Sequence, residues 1–132
     1  MNQGLDTSVV LRLLTGEPDD LAVVAKQRLE RAHAENDTIM VSDLVLAEAY
    51  YALVYHYKKD KDEARQLLQR MATSGTVHVD PAQAQAALEP AAGAGLVDRL
   101  ILNRYRSMQA STLTFDRALG AAGGVTLKPR KH

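Results

Sequence analysis

Short apolar segments alternate along the chain with longer segments in which apolar positions recur every three or four residues. The short segments predict β-strands at residues 1–5, 38–41, 76–79, 111–115 and 125–128. The longer ones predict helices at residues 9–14, 18–36, 43–57, 60–71 and 96–108, with a short alanine-rich helix after Pro81. Alternating strands and helices are typical of an α/β fold, so we expect a mainly parallel, short-stranded central sheet flanked by helices.

Length and composition favour one folded domain. A chain of 132 residues, 46% of them hydrophobic, can bury a sizeable core and hardly allows two domains. We therefore expect a single domain over residues 1–132, with a frayed tail after residue 129. The absence of cysteine excludes a disulfide scaffold, a cysteine nucleophile and thiolate metal sites.

Nothing in the sequence predicts secretion or a membrane span. The first residues lack a basic region and reach a carboxylate at once. The most apolar stretch, residues 44–54, is interrupted by Glu48. The 16 basic and 16 acidic side chains balance, which argues against a basic nucleic-acid coat protein and a polybasic membrane binder. We expect a soluble, cytoplasmic protein without a membrane partner.

Four carboxylates stand out by their positions. Asp6 and Asp116 each follow a predicted strand, Asp98 begins a helix, and Glu48 lies on an otherwise apolar helix face. Each also has a structural interpretation: Asp6 and Asp116 as helix N-caps, Asp98 as a first-turn acid, and Glu48 as an edge residue that reaches water.

The fold class predicts that these carboxylates meet. In an open parallel sheet the carboxyl ends of the strands share one edge, so a right-handed α/β sheet can bring all four together. Carboxylates without cysteine or histidine form a hard-oxygen site suited to Mg²⁺ or Mn²⁺. Such ions act on phosphate esters.

Four short blocks around these acids carry a family resemblance. They are residues 5–9, 42–48, 96–101 and 113–119, in that order along the chain. With them the chain resembles PIN-domain ribonucleases, most closely the VapC toxins of type II toxin–antitoxin pairs. The resemblance spans nearly the whole chain and implies a three-layer PIN-like fold.

The resemblance implies a function and a set of site residues. Family members hydrolyse RNA phosphodiesters with one or two divalent cations, and this role falls on the four acids Asp6, Glu48, Asp98 and Asp116. Ser8 and Thr114 match positions that support the acids or the attacking water. Family members are usually homodimers, and a cognate antitoxin silences each of them. The antitoxin usually binds DNA, so the resemblance implies that this chain contacts DNA only indirectly, through its antitoxin.

Two departures from the family pattern affect these expectations. The first strand is more polar than usual, which makes its pairing and the placement of Asp6 less secure. The third block is rich in arginine after its acid, and we expect Arg99 and Arg104 either to contact RNA phosphate or to line a solvent face. Residues 99–132 carry seven basic side chains and one acidic one, whereas residues 1–98 carry nine and 15.

The sequence is also compatible with three other functions. A degenerate PIN-like domain would bind RNA or protein without cleaving it. An Asp-dependent phosphatase would use Asp6 as its nucleophile, although the usual second Asp two positions on is Ser8 here. A plain scaffold would use every acid as a cap. The tyrosines predict either core packing or an interaction surface; they are Tyr50, Tyr51, Tyr55 and Tyr57.

Overall fold

A computed structural model describes residues 1–130 of the protein; part of the predicted tail, residues 131 and 132, lies outside the described residues. The strands are β1 (Asn2–Leu5), β2 (Thr38–Ser42), β3 (His78–Asp80), β4 (Leu113–Thr114) and β5 (Val125–Thr126). The helices are α1 (Thr7–Thr15), α2 (Asp19–Ala34), α3 (Asp43–Tyr55), α4 (Lys61–Thr73), α5 (Leu96–Ser107) and α6 (Arg117–Ala121). A 3₁₀ helix covers Ala82–Leu88, where the sequence predicts a short alanine-rich helix.

Side-chain caps begin several of these helices directly after a strand or loop. The Ser42 hydroxyl accepts the Leu44 N–H at 3.1 Å at the start of α3, and Asp60 accepts the Glu63 N–H at 2.7 Å at the start of α4. Such caps satisfy amide groups that the first turn of a helix leaves without partners. Strand β2 therefore ends where α3 begins, which fixes the course of the chain at that edge.

The main sheet has three parallel strands in the order β1-β2-β3. Leu5 pairs with Val41 and Ser42 with Asp80, so the three strands end at a common edge. Ile39 and Val41 on β2 are buried together with Val10, Leu46 and Leu68 of the flanking helices. The predicted parallel sheet flanked by helices is confirmed.

The polar first strand forms in spite of its composition. Gln3 donates a side-chain hydrogen bond to Asp37 at 2.6 Å, and the amino group of Met1 lies 3.1 Å from the same carboxylate. The Thr38 N–H donates to the Met1 carbonyl at 3.0 Å. Side-chain contacts just before β2 therefore hold β1 in register, where a more apolar strand would depend on burial.

The five strands form two sheets rather than the single central sheet expected. Strands β4 and β5 pair only with each other, through two residues on each strand. Their segment packs against α5 around a separate small cluster of Ala94, Leu102 and Leu119. Two-residue strands offer few hydrogen bonds, and among the described residues none joins them to β1.

None of the helices within residues 1–130 has the length and apolar character needed to cross a membrane.

Candidate active site

Asp6 lies where β1 ends and α1 begins. Its side chain caps α1 by accepting the Val9 N–H at 3.2 Å, and the same oxygen accepts the Ser8 hydroxyl at 2.6 Å. The carboxylate is exposed. Asp6 is thus an exposed helix cap whose side-chain partner is the Ser8 hydroxyl.

Glu48 lies on the exposed side of α3 and contacts the start of α1. The Thr7 hydroxyl donates to Glu48 Oε1 at 3.0 Å. Because Thr7 directly follows Asp6, this bond brings the carboxylates that follow β1 and β2 to the same edge of the sheet. The sequence did not single out Thr7, although its place in the first block is the signal that could have identified it.

Asp98 lies in the first turn of α5, half-buried. Gly95, the N-cap of this helix, offers no side-chain cap. Asp98 itself makes no hydrogen bond or ion pair with the residues that the structure describes. Asp98 lies near the positive end of the α5 helix dipole.

Asp116 follows β4 and caps α6, accepting the Leu119 N–H at 2.9 Å. Its own N–H donates to the Thr114 hydroxyl at 2.9 Å, so Thr114 supports the backbone at Asp116 rather than its carboxylate. The Asp116 side chain is exposed. Both the structural and the functional interpretation of Asp116 therefore remain compatible with its position.

The structure does not gather the four carboxylates into one site. Within residues 1–130, no three Asp, Glu or His side chains lie close enough together to hold a metal ion. The expectation that one sheet edge unites them is wrong for this structure. Asp116 follows a strand that does not join the main sheet, and Asp6, Glu48 and Asp98 do not lie close enough together to share an ion either. The donor types fit Mg²⁺ or Mn²⁺, but their arrangement here does not.

Arg99 has a structural role in packing α5 against the preceding loop. Its guanidinium donates to the carbonyls of Ala87, at 2.9 and 3.3 Å, and of Ala94, at 2.6 Å. These bonds hold the 3₁₀ helix and the following loop against α5. Burial lowers the pKa of Arg99, consistent with its position inside this contact. With most of its donors engaged, Arg99 packs this loop against α5, and contact of Arg99 with RNA phosphate stays a prediction.

Arg104 keeps its charge near the surface. Half of its side chain is exposed, and its nearest carboxylate is Asp43 at 3.9 Å. Asp43 is buried at the start of α3. The pair links α3 to α5 and leaves Arg104 able to contact a phosphate.

The sequence matches a known protein family over most of its length. A family model of the PIN domain matches residues 5–125, nearly the full length of the chain. The chain belongs to the PIN domain family. PIN domains are generally nucleases and typically use divalent metal ions. The family expected from the four sequence blocks is confirmed.

One solved structure is similar to this chain at low sequence identity. The chain is similar to a solved structure described as VapBC2 from Rickettsia felis bound to a DNA fragment from their promoter. The identity is 20%, the alignment covers 97% of this chain and 98% of that one, and the TM-score is 0.45. No curated protein gives a significant match.

The contacts of Asp6 predict a measurable titration. The Ser8 hydroxyl, and after it the Val9 N–H, hold the pKa of Asp6 below its ordinary value. We expect Ser8→Ala to raise the pKa of Asp6 back toward its ordinary value, measured by carboxyl carbon NMR. A depressed folded-state pKa means that ionised Asp6 stabilises the PIN domain above about pH 4, and that this stabilisation is lost as the pH falls through the folded-state pKa.

A matched control is Ser107→Ala, which removes a hydroxyl bonded to the Arg104 carbonyl on α5. It should leave the Asp6 titration unchanged. An unchanged Asp6 pKa in Ser8→Ala would contradict the assignment of Ser8 as its supporting donor.

Proposed function

We propose that this PIN domain is a Mg²⁺- or Mn²⁺-dependent endoribonuclease, the toxin component of a type II toxin–antitoxin pair. The observation that carries the proposal is the Thr7–Glu48 bond, which brings the Asp6 and Glu48 segments to one sheet edge. The two remaining acids of the family pattern, Asp98 and Asp116, are present in order.

Asp6, Asp98 and Asp116 are the residues we assign to the metal, with Glu48 as a further ligand or as the base. When bound, a divalent ion neutralises phosphoryl oxygens and lowers the pKa of a nearby water. Because the carboxylates are not gathered in this structure, we assign residues here and no geometry. No residue is assigned a covalent intermediate.

The contacts of the chain itself suit this use. Thr7 orients the Glu48 carboxylate through one oxygen and leaves the other free to accept a proton. Ser8 favours the ionised form of Asp6, the form that binds a cation. Residues 99–132 are strongly basic, which suits contacts with RNA phosphates, and Arg104 remains our candidate there.

The separation of the carboxylates supports one alternative. A PIN domain whose acids stay apart would bind RNA or protein without cleaving it. A phosphatase is less well supported, because the residue two positions after Asp6 is a serine that supports Asp6. The homodimer and the cytoplasmic location stay predictions.

RNA cleavage with and without Mg²⁺ or Mn²⁺ tests the proposal. We expect metal-dependent cleavage that Asp98→Asn reduces by about 100-fold or more, since a metal ion contributes several kcal/mol to such reactions. Asp20→Asn, an exposed acid in the first turn of α2, is the matched control and should cleave like the wild type.

Each other outcome has a definite meaning. Cleavage without metal, or full activity in Asp98→Asn, contradicts the metal mechanism. A folded wild type that cleaves no member of a broad RNA panel favours the binding domain. Release of phosphate from a small phosphoester favours the phosphatase.

The groove beside β1 is our proposed surface for the antitoxin. It has a volume of about 400 Å³ and is lined by Gly4 and Leu5, by Arg12, and by the exposed apolar residues Leu21 and Val24 of α2. The buried Arg12 Nε has no hydrogen-bond partner among the described residues. An apolar peptide segment with an acidic or carbonyl oxygen at Arg12 would satisfy both features.

Coexpression with the product of the neighbouring reading frame tests this surface. We expect a small DNA-binding protein that forms a complex and suppresses cleavage, and we expect Val24→Asp to weaken the complex by at least about tenfold. Val23→Asp is the matched control, because Val23 is 46% exposed on the same helix but does not line the groove. Unchanged binding by Val24→Asp would contradict the proposed surface.

A further inference from the structure

Two tyrosines of α3 form an exposed aromatic pair. Tyr51 and Tyr55 are 48% and 58% exposed, and their rings stack with centroids 6.0 Å apart and an interplanar angle of 29°. Tyr50, by contrast, is buried in the core. The tyrosines therefore divide between the two roles considered from the sequence, and core packing does not account for the exposed pair.

The exposed pair adjoins Glu48. Tyr51 and Tyr55 lie three and seven positions after Glu48, on the same face of α3. These residues line a shallow depression of about 370 Å³, together with Thr7, Ala52 and His56. The two rings and a carboxylate assigned to catalysis thus share one surface.

Residues 58–63, just beyond this pair, carry three lysines and three acids. His56 lines the depression, and Lys58 and Lys59 follow it. Lys59 lies 3.4 Å from Glu63, whereas Lys58 is exposed and makes no ion pair within residues 1–130. Exposed aromatic rings beside cationic side chains are the combination with which proteins bind single-stranded nucleic acid.

We propose that Tyr51 and Tyr55 form a stacking platform for an unpaired base of RNA bound beside Glu48. This inference rests on the proposed ribonuclease function and adds the residues that would bind an RNA base beside Glu48. A base has a flat face that stacks on a tyrosine ring whatever its identity, so the platform selects unpaired RNA over duplex. Burying the exposed rings under a base also removes apolar surface from water.

Binding of a non-cleavable RNA tests the platform separately from catalysis. The probe is a short, mixed-sequence, fluorescently labelled 2′-O-methyl RNA, titrated with the full chain and followed by anisotropy. We expect Tyr55→Leu to weaken binding by about 5- to 150-fold, the range for loss of one base–aromatic stack. Tyr55→Phe retains the ring and should bind within about twofold of the wild type.

Tyr105→Leu is the matched control, because Tyr105 is an exposed tyrosine on α5 that does not line the depression. It should bind the RNA like the wild type. Circular dichroism on each variant verifies folding, and light scattering measures the oligomeric state. We expect all variants to keep the oligomeric state of the wild type.

Several results would overturn the inference. They are no binding of the RNA by the wild type, equal binding by wild type and Tyr55→Leu, equal losses in Tyr55→Phe and Tyr55→Leu, or a changed oligomeric state in Tyr55→Leu. A changed oligomeric state would indicate that the two rings contact a second copy of the chain instead of RNA. RNA binding that depends on Tyr55, without cleavage, supports the platform and contradicts the ribonuclease proposal. Cleavage together with RNA binding that does not depend on Tyr55 supports the ribonuclease proposal and contradicts the platform.

Discussion

The parallel pairing of β1 with β2 is the constraint on which the rest of the site depends. Its register sets Leu5 beside Val41, so Asp6 and the start of α3 emerge at the same edge. The Thr7–Glu48 bond is possible only because these strands end together. With few apolar side chains of its own, β1 depends on the contacts of Gln3 and Met1 with Asp37 to hold that register.

A second constraint acts at the other end of the chain. The β4–α6–β5 segment has a small apolar cluster of its own and packs mainly on α5. Leu113 and Phe115 beside Asp116 are 64% and 77% exposed, so this segment buries little apolar surface. Weak burial favours larger motions than in the main core.

Much of the fold was predictable from sequence, because its signals are local. Apolar periodicity located the strands and helices, and the predicted caps at Asp6 and Asp116 are confirmed by their hydrogen bonds to Val9 and Leu119. The family followed from four short blocks, which the PIN match over residues 5–125 confirms.

What the sequence could not predict depends on contacts between distant residues. Whether β4 joins the main sheet depends on competing strand pairings that apolar periodicity does not reveal. The prediction that all strands end at one edge of one sheet is therefore wrong at β4 and β5. Arg99 resembled a phosphate ligand, but its place in the fold gives its donors to backbone carbonyls. The exposure of Tyr51 and Tyr55 beside Glu48 became visible only in the folded chain.

We propose that Asp6, Glu48, Asp98 and Asp116, which the structure does not gather into one site, come together when a divalent ion binds. Mn²⁺ tests it most directly, because this paramagnetic ion broadens the NMR signals of nuclei near it; Mg²⁺ is the diamagnetic control. We expect the amide signals of all four residues to broaden together during one Mn²⁺ titration. Asp98→Asn should weaken this broadening at all four residues. Broadening at only one or two of these residues, or at none, would contradict it.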